Sequence, residues 1–156
     1  MNNEIMKNER IRALALGIVW RGGDSDEFLV CEFYDQITGE PFYRPLGGGI
    51  EFWERAQETL RREFREELGA ELVDVRYTAT LENIFVHEGR RGHEIILLYK
   101  AALADPSLYE RETLTVNENG QVLTARWMAL REFPPGGPPL YPDGLPELLA
   151  SEDTRL

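Results

Sequence analysis

GGGIEFWERAQETLRREFREELGA, residues 47–70, is the stretch from which the rest of the chain is read. Three consecutive glycines, Gly47, Gly48 and Gly49, are followed by a segment in which Ala56, Leu60, Phe64 and Leu68 recur at every fourth position. That period predicts a helix from about residue 55 to 68 with an apolar stripe packed on a sheet, and Gly69 supplies its stop. At 100° per residue, Glu66 and Glu67 fall within about 60° of Glu63. Three carboxylates thus share a face beside the stripe.

Clustered carboxylates repel one another, and their ionised forms need cations or hydrogen-bond donors. Hard oxygen ligands favour Mg²⁺ or Mn²⁺. The competing explanation is a solvated helix face, since Glu58/Arg62 and Arg62/Glu66 have the four-residue spacing of supporting ion pairs. The preceding glycines favour the first explanation: backbone without Cβ can approach phosphate, or offer a carbonyl to a metal. Gly48 and Gly49 are therefore candidate substrate contacts, and the stretch points to metal-assisted phosphoryl chemistry.

Working outward, residues 12–20 (RALALGIVW) and 28–33 (FLVCEF) read as apolar strands joined into a hairpin by the Gly/Asp/Ser-rich segment 21–27. Residues 42–46 form a further extended segment leading into a glycine loop. Beyond the helix, residues 73–86 and 94–102 read as strands paired through a turn at 88–92, and residues 122–128 as another. A Pro/Gly-rich loop, residues 134–146, and a short helix near 145–150 follow. Strands on both sides of a central helix predict an α/β class with no internal repeat. A length of 156 residues with 42% hydrophobic content fits one domain over residues 1–156.

The formal net charge of −11 excludes a general nucleic-acid or anionic-membrane binder, which would carry an excess of Lys and Arg. Between Glu51 and Glu71 alone there are seven glutamates and four arginines. An acidic chain can still hold a polyphosphate where divalent cations bridge the two sets of negative groups. No stretch approaches the roughly 18 apolar residues of a membrane span, and the polar start MNNEIMKNER carries no signal segment, so a cytoplasmic protein is expected. Cys31, the only cysteine, lies among apolar neighbours and reads as a packing residue.

With these residues laid out, the stretch resembles the Nudix box, G-x5-E-x7-R-E-U-x-E-E-x-G-U, where U is bulky and apolar. Gly48, Glu54, Arg62, Glu63, Glu66, Glu67 and Gly69 match its fixed letters and Phe64 its first apolar position. Ala70 is small where a larger aliphatic residue is usual, and Trp53 stands where many members carry glycine. The resemblance implies a Nudix-type α/β/α sandwich with a mixed central sheet and the box as loop–helix–loop. It also implies a Mg²⁺- or Mn²⁺-dependent pyrophosphohydrolase acting on a nucleoside diphosphate linked to a further group. Carried over by position, Glu63, Glu66 and Glu67 would bind metal with the Gly47 carbonyl, and Glu54 and Arg62 would brace the loop against the helix. Glu63 or Glu67 would take the proton from the attacking water.

Outside the box, Glu94 at the head of an apolar strand resembles the extra glutamate that some members contribute, and is a fourth candidate ligand. A solvent-facing strand end is its alternative. Glu82 and Glu88 are weaker candidates. Arg44, just before the glycines, could reach phosphate, as could Arg90 or Arg91. His93 and His87 read as surface or packing residues. Trp127, Tyr141 and Phe133 could stack on a base, against the commoner explanation of core packing. The loop 134–146 has two roles open, flanking the substrate or forming a homodimer contact. A catalytically silent Nudix-fold nucleotide-binding regulator is the alternative function, disfavoured because all four box glutamates are kept. An isomerase on the same scaffold would need a catalytic cysteine, which Cys31 does not suit.

Overall fold

The computed structural model describes residues 9–22 and 24–151. Among them, strands β1 (Ile11–Val19), β2 (Glu27–Tyr34), β3 (Pro41–Arg44), β4 (Leu46–Gly49), β5 (Leu72–His87), β6 (Arg90–Leu103), β7 (Thr113–Glu118) and β8 (Gln121–Ala129) form two four-stranded sheets. The first has the order β4-β1-β6-β5, with β1 and β6 parallel and the other pairs antiparallel. The second, β3-β2-β8-β7, is antiparallel throughout. The α/β class with a mixed sheet is therefore present.

Helix α1 (Ala56–Leu68) packs Leu60 and Phe64 into a core with Ala15, Val19, Cys31 and Trp127. Helix α2 (Leu145–Ala150) contributes Leu145 and Leu149 to a second core with Leu14, Leu16, Phe28 and Ile96. Along β1 the alternation sends Ala15 and Val19 to one core, Leu14, Leu16 and Ile18 to the other. Each fully buried Leu or Phe contributes about 1.5–3 kcal/mol through removal of apolar surface from water. Gly17 permits the close approach of α1: a Cβ there would stand 3.1 Å from Leu60 and 3.2 Å from Phe64.

Three expectations change. The hairpin joining residues 12–20 to 28–33 does not form: the two strands belong to different sheets and share one bridge, Trp20 to Phe28. Both are buried along most of their length, so each needs a neighbour on either edge. β1 takes β4 and β6, while β2 takes β3 and β8. The segment 42–46 is likewise two strands. β3 pairs with β2 and β4 with β1, and the chain crosses between sheets at Pro45, whose missing N–H suits a break in the ladder. Finally, the glycines lie in β4 and not in a loop. Gly47 has φ 145°, and a Cβ there would fall 2.0 Å from the Ala15 carbonyl oxygen, so this strand register admits only glycine.

The loop 134–146 lies along the outer edge of β3. Tyr43 N–H donates to Pro139 O and Tyr141 N–H to Tyr43 O, both at 2.9 Å. It thereby covers backbone groups that an edge strand would leave open. No helix among the described residues is long and apolar enough to cross a membrane.

Candidate active site

α1 is held at both ends. Glu58 accepts a hydrogen bond from the Arg55 N–H at 2.8 Å, closing the first turn. At the other end Gly69 adopts the left-handed conformation (φ 65°), donating to Arg65 O at 2.9 Å while Ala70 N–H reaches Phe64 O at 3.2 Å. The segment 50–55 in front of the helix is fixed by Arg62. Its guanidinium donates to both Glu54 carboxylate oxygens, at 2.8 and 2.9 Å, and to Gly49 O at 3.3 Å. It also reaches Glu63 at 2.9 Å and Glu66 at 3.3 Å. The bidentate bond from Arg62, with a further one from Thr59 Oγ1, holds the Glu54 carboxyl down at about 2.

A cavity of about 590 Å³ opens where β4, α1 and the β7–β8 hairpin meet. Gly47, Gly48 and Gly49 line one side, and Glu63, Glu66 and Glu67 another. Arg12, Arg44 and Glu118 also line it. Glu67 is only 7% exposed. Burial, and then the neighbouring Glu63 carboxylate, push its carboxyl up to about 8; Glu118 adds to the effect and Arg44 offsets it. Gly48 forms a cradle for Glu63, because a Cβ there would come within 2.6 Å of the Glu63 carboxyl. The donor set is made of carboxylates, one of them buried, and so fits a hard divalent cation.

The structure thus gathers Gly47, Gly48, Gly49, Arg44, Arg62, Glu63, Glu66 and Glu67 around one cavity, with Glu54 behind Arg62. Glu94 lies elsewhere. It lines an adjoining cavity, 9% exposed, with its carboxylate 3.6 Å from the Arg12 guanidinium. Arg91 pairs with Glu9 away from the box, and Glu82 lies 3.7 Å from His93. Glu88 meets His87 and Asp35, a trio whose ligand atoms lie within 4.8 Å of one another at the tips of two hairpins. Trp127 stacks on Tyr109 and Phe133 packs against Phe28 and Tyr43, while Tyr141 lines the adjoining cavity. The Cys31 thiol is buried and pushed up to about 12, chiefly by desolvation, as suits a packing residue.

Arg12 and Glu118 are among the cavity residues that escape the sequence reading. Glu118 ends β7, 3.6 Å from Arg44. The signal for it is present: Leu114 and Val116 alternate with polar residues, and Asn119–Gly120 (φ 48° and 79°) is the two-residue turn that closes a hairpin. Nothing local marks Arg12, which reaches the site through the antiparallel pairing of β1 with β4, its guanidinium 3.5 Å from where a Gly49 Cβ would stand.

Residues 11–148 match the family described as NUDIX domain. The chain belongs to the NUDIX family. A MutT NUDIX hydrolase from Burkholderia pseudomallei shares the fold with a TM-score of 0.64 at 19% identity, over 90% of this chain and 97% of that one. The ORF135 protein of E. coli superposes with a TM-score of 0.55 at 24% identity, over 92% and 90%. A NUDIX hydrolase from Nitrosomonas europaea gives 0.56 at 14%, over 79% and 75%. Among curated proteins none matches the chain.

Both departures from the NUDIX box have a structural account. Ala70 is buried in the core beneath the end of α1, where its backbone completes the helix cap. Trp53 has φ 69°, a left-handed conformation that glycine adopts freely, and lies 93% exposed beside the 97% exposed Phe52. Glycine at this position in other NUDIX boxes therefore suits the turn, not the contacts of the side chain.

Proposed function

We propose that this NUDIX protein is a Mg²⁺- or Mn²⁺-dependent pyrophosphohydrolase that cleaves the phosphoanhydride bond of a nucleoside diphosphate linked to another group. The observation that carries the reading is the single cavity that Glu63, Glu66, Glu67 and Glu118 line together with Arg12 and Arg44. Glu63, Glu66 and Glu67, with the Gly47 carbonyl, would hold the cation, and Glu118 extends the same set. Bound there, a divalent cation supplies charge neutralisation and acidifies water. Its charge would also favour ionisation of Glu67.

The remaining work belongs to the chain. Arg12 and Arg44 place positive charge beside these carboxylates, where it can meet an anionic diphosphate. Gly49, where a Cβ would stand 3.5 Å from the Arg12 guanidinium, lets phosphate approach the backbone beside that cation, whereas the space at Gly48 holds the Glu63 carboxyl. Arg62 and Glu54 fix the box loop against α1. Glu63 or Glu67 accepts the proton as a water oxygen bonds to phosphorus and the phosphoanhydride bond breaks.

The test is a Mg²⁺-dependent panel of nucleotide sugars, dinucleoside polyphosphates and nucleoside di- and triphosphates, with Glu67→Gln as control. Turnover of at least one class, abolished by chelator and sharply reduced in the variant, is expected. No turnover together with tight metal-independent nucleotide binding would replace the hydrolase with a NUDIX-fold regulator.

A further inference from the structure

On the far side of Arg12 and Arg44 from the box lies a second cavity, of about 240 Å³. Both arginines line the two cavities in common. Strand register builds its floor: Arg12, Glu94 and Asn83 stand in one row across β1, β6 and β5. Phe85 follows Asn83 on the same face, its ring lying where a Cβ of Gly92 would be. Phe42 and Tyr141 stand edge to face at 5.9 Å on the cavity wall. Pockets for drug-sized ligands run from roughly 300 Å³ upward, so this volume suits a single flat ring system. Aromatic walls offer such a ring its preferred contacts.

Beside the two arginines, this cavity presents two neighbouring side chains with acceptor oxygens, Asn83 and Glu94. Asn83 is 5% exposed, and its Oδ1 accepts no hydrogen bond among the described residues. Glu94 is similarly buried, and its carboxylate is ion-paired with Arg12 at 3.6 Å, with lone pairs left for further donors. A buried acceptor without a donor is costly, so Asn83 Oδ1 calls for an N–H group, and the Glu94 carboxylate beside it can accept others. As directly opposed residues of an antiparallel pair, they have neighbouring side chains. Two adjacent acceptors match two adjacent donors.

Resting on the hydrolase reading above, we infer that this cavity receives the base of the nucleotide and selects guanine. Guanine alone among the common bases carries a ring N–H and an amino group side by side on its pairing edge. Adenine and cytosine set a ring acceptor beside the amino group, and uracil flanks its one N–H with two carbonyls; each of these turns an acceptor toward Glu94 or Asn83. The Glu94 carboxylate takes the ring N–H and one amino hydrogen, and Asn83 Oδ1 takes the other. The diphosphate then passes Arg12 and Arg44 to reach the box carboxylates, and the Nε–H of Arg44 has no acceptor among the described residues. Glu94 thus serves recognition of the ring, in place of the metal role that its position in sequence suggests.

Calorimetric titration of the whole chain with GMP, IMP, AMP, CMP and UMP in Mg²⁺ tests this directly. GMP is expected to bind about 10–100-fold more tightly than AMP, as for a good bidentate contact. IMP, which lacks the amino group, should lose about tenfold of that advantage. Glu94→Gln should bring GMP and AMP within about threefold of each other. GMP and AMP binding equally to the wild type, or an unchanged preference in the variant, overturns the assignment. If the variant does not fold, the GMP-to-IMP ratio of the wild type reads the same contacts. The two readings fail separately: guanine-selective binding without turnover in the nucleotide panel removes the hydrolase, whereas turnover indifferent to the base removes guanine selection.

Discussion

The box cavity and the aromatic cavity share Arg12 and Arg44, yet they are assembled in opposite ways. Most of the acidic lining of the first comes from one contiguous stretch, in which helical spacing alone brings Glu63, Glu66 and Glu67 together. The second takes Phe42 from β3, Asn83 and Phe85 from β5, Glu94 from β6 and Tyr141 from the loop 134–146. The lesson is that reaction chemistry can be encoded locally, whereas a surface that discriminates between ligands is created by strand order and register.

The largest effect that would divide the two regions belongs to Glu67→Gln. It should lower kcat by about 10²–10⁴-fold, as for loss of a catalytic carboxylate, while nucleoside monophosphate binding at the aromatic cavity persists. A proportionate loss of that binding would show that the regions do not act separately. The same substitution alters the dependence of stability on pH. With the folded-state value at about 8, above the ordinary 4.5, the contribution of the protonated carboxyl is complete below about 4.5 and is lost as pH rises through about 8. Thermal unfolding in chelator should therefore show wild type losing stability over this range, and Glu67→Gln losing less.

Next in size is Gly48→Ala. The added methyl would stand 2.6 Å from the Glu63 carboxyl and must displace it, and steady-state kinetics should show kcat falling by up to about 10²-fold, as for a misplaced catalytic group. KM should change little. A smaller effect, of opposite kinetic character, is expected from Gly92→Ala. Its Cβ would lie 2.2 Å from the Phe85 ring, crowding the aromatic cavity and raising KM about tenfold with kcat nearly unchanged. A fall in kcat alone would place Phe85 with the chemistry instead.

The smallest effect concerns the turn that leads into α1. Trp53→Gly removes a left-handed conformation costing roughly 1–2 kcal/mol and introduces a more flexible unfolded chain costing about 0.5–1 kcal/mol. A rise of a few degrees in Tm is expected by calorimetry. A fall would mean that the contact with Phe52 at 6.2 Å between ring centroids contributes more than the strain removes.

The two regions also explain how much the sequence discloses. The period of Leu60 and Phe64 locates α1, and the spacing of the glutamates locates the acidic cluster. The burial of Glu67 is not legible, because it depends on β7 passing over the helix. Likewise the apolar runs of β1 and β2 announce strands but not partners: a fully buried strand looks alike whether it joins its neighbour in sequence or a strand eighty residues away. Glu94 shows the same limit. The apolar run behind it suggests a ligand at a strand head, whereas Glu94 stands inside β6, and the row Arg12, Glu94, Asn83 depends on a parallel pairing and an antiparallel one at once.

Pro45 carries a consequence for engineering. With a single residue between β3 and β4, one sheet cannot slide past the other by even one pair without breaking β2–β3 or β1–β4 contacts. The link acts as a short tether that transmits the register of the second sheet into the first. A graft of residues 47–70 from another chain should consequently work best when it starts at Pro41, so that the imported helix arrives with its own measure of where both sheets stand.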